Sequence, residues 1–325
     1  MSASTSHAIQ TYGLTRRYRD VLAVDRLDLC IERGEIYGFL GLNGAGKTTT
    51  IRMLLGMIHP SGGRAALLGA QVRRGGRGPW DHVGYLVESP APYPGLTVAE
   101  NLWAAARLRG VDDAVVARVV ERLGLAPYAS RKARSLSQGN RQRLGLALAL
   151  FHEPELLILD EPANGLDPAG VVEVRELLQA LAADRGVTVL MSSHVLAEVD
   201  RLATRIGIIH EGRLIEEMSA AEMERRRALR LVVETRDTSA ARRVLRAAGY
   251  RPEPGGDGLV LRDARAVARP DDVAATLAAA GHPPARLAVE QEDLEAHFLR
   301  LTAGGRGAAG GDPAPGVTTG RAVAS

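Results

Sequence analysis

The chain has 325 residues, a formal charge of +3 and one cysteine, Cys30. So small a net charge argues against a nucleic-acid binder, and a lone cysteine excludes an intramolecular disulfide and fits a reducing compartment. The length accommodates one large domain and a smaller one.

The first eleven residues are polar and lack the hydrophobic segment of a secretory signal. Apolar alternation predicts strands at 9–14, 27–31 and 35–40. A glycine-rich loop follows at Gly41, then a helix over 47–58. Residues 60–79, rich in Gly and Arg, read as loop or short strands, and 83–87 as a strand. Thr97 and Glu100 have capping-box spacing and open a helix to Arg109. Further helices are expected over 113–123 and 137–151. Strand and helix then alternate: 156–159, 171–183, 187–191, 195–203, 206–209. That alternation argues for an α/β sheet with crossover helices. Glu211-Gly212 fits a hairpin turn, and Ser219 to Glu222 repeats the capping-box spacing.

After Arg227 the pattern changes to a small α+β unit: strands at 229–234, 259–261 and 286–290, helices at 239–248, 271–280 and 294–302. Residues 303–325 are rich in Gly, Ala, Pro and Thr and read as disordered. The expected domains are therefore 8–225, 226–302 and a tail, 303–325. The longest apolar runs, 144–151 and 156–159, fall short of the roughly 18 residues that span a bilayer. A pore, if one is needed, must come from another chain.

Three segments carry chemistry. Gly41-Leu42-Asn43-Gly44-Ala45-Gly46-Lys47-Thr48, followed by Thr49, is a P-loop between a strand and a helix. Its glycines let backbone amides wrap phosphate, and the helix start adds free amides and a favourable dipole. Lys47 is suited to neutralise the β- and γ-phosphates, and the Thr48 hydroxyl to bind magnesium. Lysine occurs only at 47 and 132 in a chain whose other cations are arginine. A compact ammonium at Lys47 therefore points to a place where a planar guanidinium will not fit. Lys132, between Arg131 and Arg134, reads as a solvated surface charge.

Leu156-Leu157-Ile158-Leu159-Asp160-Glu161 is a buried strand that delivers two carboxylates at its C-terminal end, where open α/β sheets bind ligands. Asp160 is the candidate magnesium ligand and Glu161 the candidate base for the attacking water. The third segment, Leu136-Ser137-Gln138-Gly139-Asn140-Arg141-Gln142-Arg143, lies one short helix upstream. Ser137 could offer a hydroxyl to an anion or cap its own helix, and Gly139 permits a close approach.

With this third segment the chain resembles the ABC ATPase family, whose signature has the form LSxGxxQR. The resemblance covers about 8–302, strongly to 217. It implies a P-loop NTPase of α/β class: a RecA-like core, an antiparallel β subdomain and a helical signature subdomain, followed here by the small α+β accessory domain. It implies ATP and Mg2+ as cofactors and a head-to-tail dimer, in which Ser137, Gln138 and Gly139 contact the γ-phosphate held by the opposite subunit. Tyr18 falls at the adenine-stacking position, Asp167 in a D-loop crossing the dimer interface, and His194 at the γ-phosphate sensor. Glu88 stands where the family usually has the Q-loop glutamine. A carboxylate there could still serve catalysis by binding magnesium or its water, but adds negative charge near three phosphates. The phrase Gly84-Tyr85-Leu86-Val87-Glu88-Ser89-Pro90 is similar to the bacitracin and daunorubicin exporter group, as is 293–302. The implied function is an ATP-hydrolysing subunit on the cytoplasmic face of the membrane, powering a separate integral membrane permease for drug or antibiotic efflux. The alternatives are a soluble ABC ATPase acting on ribosomes or DNA, and a nucleotide-binding module without turnover.

Overall fold

The computed structural model describes residues 7–73, 75, 78–88, 92–226, 229–256 and 258–291. The chain divides into two compact units, Met1–Arg226 and Arg227–Ser325. The first unit opens with β1 (His7–Tyr18), β2 (Val21–Leu27) and β3 (Cys30–Glu32). The expected strand over 27–31 is broken in two. The Thr11 hydroxyl sits in the break, donating to Leu27 O at 2.8 Å and accepting from Leu29 N at 2.7 Å. Asp28 is drawn aside to accept from Gly13 N at 2.6 Å.

After β4 (Ile36–Leu40) comes α1 (Lys47–Leu54), which stops short of 58 because Gly56 takes φ +65. Met57 N then bonds back to Arg52 O at 2.9 Å, a glycine C-cap. The arginine-rich stretch that follows contains β5 (Gly62–Leu67) and β6 (Ala70–Gln71), and then β7 (Val83–Leu86). A helical layer of α2 (Val98–Arg109), α3 (Asp113–Arg122) and α4 (Gln138–Leu150) comes next. Thr97 forms the full capping box, accepting from Glu100 N at 3.2 Å while its own N–H donates to Glu100 Oε2 at 2.7 Å.

The alternating half is β8 (Leu156–Asp160), α5 (Pro168–Arg185), β9 (Thr188–Ser193), α6 (Leu196–Asp200), β10 (Arg205–His210), β11 (Arg213–Ser219) and α7 (Ala220–Arg226). Glu211 and Gly212 both take positive φ, 48 and 79, the hairpin turn joining β10 to β11. Ser219 and Glu222 form a second capping box.

Two sheets result. One is antiparallel, in the order β2-β1-β5-β6 with β3 also on β1. The other runs β11-β10-β4-β9-β8-β7, parallel except for the β10–β11 hairpin. Every residue of β4, β8 and β9 is buried, as in central parallel strands covered on both faces; the polar ones, Asp160, Thr188, Ser192 and Ser193, lie at the strand ends.

The second unit has its own core around Leu231, Val233, Leu245, Leu261 and Val273. It comprises β12 (Leu229–Thr235), α8 (Thr238–Ala247), β13 (Glu253–Gly255), β14 (Gly258–Leu261), α9 (Ala264–Ala268), α10 (Pro270–Ala279) and β15 (Pro284–Gln291). Its four strands form an antiparallel sheet in the order β13-β14-β12-β15. The helix expected over 294–302 and the tail 303–325 lie outside the described residues.

Candidate functional site

The loop from Gly41 to Gly46 is shaped by positions that exclude a side chain. A Cβ on Gly41 would lie 2.7 Å from Ile209 O, and one on Gly46, at φ +108, would lie 2.5 Å from Ala23 O. Ala45 is buried and tied down, its carbonyl accepting from Gly212 N at 3.0 Å. No side chain caps α1, and its first turn holds no acidic residue. The first N–H groups of such a helix have no intrahelical acceptor and attract an anion. A cleft of about 220 Å3 opens there. Leu42, Asn43, Gly44, Gly46, Lys47, Thr48 and Thr49 line it, joined by Ala23 and Glu161.

Lys47 is 6 % exposed. Its ammonium donates to Gly41 O at 2.6 Å and to Leu42 O at 3.4 Å, and lies 3.7 Å from Glu161 Oε1. Burial lowers its pKa, opposed by the charges of Glu161 and Asp160. The Thr48 hydroxyl donates to Asp160 Oδ2 at 2.7 Å. Asp160 ends β8 opposite Ser192 of β9, whose hydroxyl donates to its other oxygen.

Glu161 leaves the strand with φ +51, a left-handed conformation that a glutamate rarely adopts. Its N–H is held by Ser192, with O at 3.2 Å and Oγ at 3.1 Å. The turn sends the carboxylate toward His194, whose Nδ1 lies 2.7 Å from Glu161 Oε2. Glu198 on α6 joins this cluster: burial raises its pKa, and the charge of Glu161 adds to that, opposed by His194.

The signature segment is built into the same strand end. Ser137 caps α4, accepting from Asn140 N at 3.2 Å. One turn further on, Gln142 donates to the carbonyls of Glu161 at 3.2 Å and Pro162 at 3.0 Å. A Cβ on Gly139 would meet Gly165 O at 3.4 Å, and one on Gly165 would lie 2.5 Å from Gln138 Nε2. The small residues thus let α4 lie against the turn after β8. Asp167 caps α5, accepting from Gly170 N at 2.9 Å.

Two expected residues are not brought to this cleft. The Tyr18 ring lies at the end of β1 under the Arg16 guanidinium, 4.3 Å from it, and is not among the cleft's lining residues. Glu88 bonds Arg52 at 2.5 Å. Arg52 follows Lys47 by five residues on α1, so this contact lies about 7.5 Å along the helix from the phosphate end. Glu88 also has positive φ, +56, and lines a different cleft with Tyr85 and His152. Ser192, Gln142 and Glu198 are the residues that sequence reasoning left without a role. Gln142 stood inside the signature segment and Ser192 two residues before His194, whereas Glu198 carries no sequence signal beyond its place four residues after His194 on a helix.

The family model described as "ABC transporter" matches residues 24–164. The bacitracin transport ATP-binding protein BcrA of Bacillus licheniformis is 43 % identical over 237 residues, 73 % of this chain and 78 % of that one. Its namesake from Enterococcus faecalis is 36 % identical over 300 residues, 92 % and 97 % of the two chains. Among solved structures, an ATP-binding subunit of an ABC transporter aligns with a TM-score of 0.60 at 27 % identity, covering 67 % of this chain and 92 % of its own. A dimeric ABC transporter cassette matches in fold, with a TM-score of 0.61 at 22 % identity over 65 % and 98 %. Similarity that runs nearly the full length of such relatives makes this chain a member of the ABC transporter ATP-binding proteins, with an ATPase domain that binds ATP.

Proposed function

We propose that this ABC ATPase works as a head-to-tail homodimer on the cytoplasmic face of the membrane and powers a separate permease that exports antibiotic-like compounds. One observation carries the catalytic part: Lys47, Thr48, Asp160, Glu161 and His194 converge from α1, β8 and the end of β9 at the mouth of the glycine loop. The transport part draws on relatives named for bacitracin transport, for lantibiotic transport in Streptococcus pyogenes and for Nod factor export in Burkholderia orbicola. Among the described residues no helix is long and apolar enough to cross a membrane, which agrees with a pore on another chain. The alternative of a ribosome- or DNA-directed ATPase has no such support among these relatives.

In this reading the loop amides and Lys47 hold the β- and γ-phosphates. Thr48 and Asp160 are hard oxygen donors 2.7 Å apart, a set that suits Mg2+, which takes one or two protein oxygens beside those of the phosphates. Mg2+ bound there would offset the charge that develops on the transferred phosphoryl group. Glu161 takes the proton of the attacking water, and His194, with Nδ1 protonated, donates to Oε2 and fixes the other oxygen's direction. Ser137, Gln138 and Asp167 are exposed, Ser137 and Asp167 while capping their helices, so a second copy can approach them.

Glu161→Gln tests the reading. It keeps the shape but cannot take a proton, so ATP binding should persist while turnover falls by roughly 10²–10⁴-fold. Co-expressed with its permease, the native chain should lower antibiotic susceptibility and the Glu161→Gln chain should not. Near-native turnover removes Glu161 as the base, and equal susceptibility with either chain removes the export assignment.

A further inference from the structure

The second unit has a cleft of about 340 Å3, lined by Arg242, Arg246, Tyr250, Arg251, Glu253 and two prolines. Arg242 and Arg246 are one helical turn apart on α8, a spacing at which like charges repel. Arg251 follows the glycine turn that ends the helix, and the Arg265 guanidinium lies 5.3 Å from the Tyr250 ring centre. Among the described residues, no guanidinium of Arg242, Arg246 or Arg251 pairs with a carboxylate, and the Arg251 backbone N–H donates to Asp263 Oδ2 at 3.1 Å. The one acidic residue lining the cleft, Glu253, is held by Arg262 at 2.9 Å. Three arginines against one carboxylate leave the lining of the cleft net positive.

Abundant arginine alone would not mark a site, because exposed guanidiniums are solvated. Two buried donors do. Tyr250 is 5 % exposed and packs in the core of the unit, yet its hydroxyl is buried with no hydrogen-bond partner. The Nε of Arg242 is buried and unpartnered too. Buried donors are paired in the great majority of cases, and each exception asks for an explanation. The dipole at the end of α8 accounts for Arg246 but not for Arg242 or for the tyrosine.

We propose that this cleft binds a phosphate-bearing anion, gripped by Arg242, Arg246 and Arg251 and hydrogen-bonded by the Tyr250 hydroxyl. A phosphate offers three acceptor oxygens and up to two negative charges, and the planar guanidinium fork matches that geometry. The phosphate can belong to a free ion or to a lipid headgroup.

Hydrogen exchange on the full chain decides, with inorganic phosphate as the probe and sodium chloride at matched ionic strength as the control. At ten times its dissociation constant, phosphate should slow exchange in 242–256 about 11-fold where exchange needs the bound form to open. Amides 41–49 in the same sample report binding at the P-loop separately. The exposed-arginine pair Arg246→Gln with Arg251→Gln should abolish the protection in 242–256, and Tyr250→Phe, which keeps the ring in the core, should weaken it. A parallel arm uses phosphatidylcholine vesicles with and without phosphatidylglycerol. Protection by free phosphate assigns a soluble ligand, and protection only by anionic vesicles assigns a headgroup. Absence of protection in both arms, or protection unchanged in the arginine variant, overturns the proposal.

Discussion

Lys47 lies in a curl of backbone that leaves its ammonium two carbonyls, Gly41 and Leu42, and one carboxylate, Glu161. A guanidinium is wider, planar and unable to turn its donors inward along one axis. Lys47→Arg should therefore lose charge-assisted bonds to phosphate, weakening ATP affinity about 10- to 100-fold, which a nucleotide titration measures. Native affinity and turnover in the arginine variant would show that charge alone matters. The site was legible in sequence wherever a residue type is dictated by backbone geometry or fixed spacing, as in the glycine loop and the Asp160-Glu161 pair. It was not legible where a role comes from a neighbouring strand. Ser192 serves Asp160 and Glu161 only because β8 and β9 are adjacent and in register.

Among the elements, the junction of α4 with β7 holds a titrating group. His152, just past the end of α4, has Nε2 3.1 Å from Val83 O, while Nδ1 is buried without a partner. Burial, with the positive charge of Arg109 adding to it, lowers its pKa from 6.5 to about 4. The unfolded chain thus takes up a proton near pH 6.5 and the folded one only near pH 4, so stability falls as pH is lowered through that window. The residue is partly open to solvent, which screens the effect, leaving on the order of 1–2 kcal/mol. His152→Gln keeps a donor for Val83 and cannot titrate. Urea unfolding at pH 7 and pH 4.5 should show a smaller loss in the variant, and an equal loss would clear His152 of the role. Long, strongly patterned elements were readable in the same way as the capping boxes, because their signals are local. The split between β2 and β3 was not, since Thr11, sixteen residues upstream of Leu27, makes it. The short β13 and α9 hold too few residues for a period to show.

At the scale of the molecule, each unit carries a separate core. Met223 is buried and the Ser219–Glu222 box starts α7, so the first unit extends through this helix. A chain ending at Arg226 should stay soluble and bind ATP as the full chain does, while one ending near Ser219 should be less stable. Loss of ATP binding in the longer of the two would make 226–302 part of the ATPase fold, and the proposed division into an ATPase domain, 8–225, and an accessory domain would fall. The parallel pairing of β8 with β9 has a wider consequence. Asp160 stands opposite Ser192, and just beyond them Glu161 and His194 lie 2.7 Å apart. A slip of one residue would part Asp160 from the Ser192 hydroxyl and Glu161 from the groups that hold its N–H. Misaligned catalysis and a misassembled sheet are thus one and the same error. A newly made copy of the native chain whose sheet pairs in register therefore emerges with its proton-transfer pair already in place.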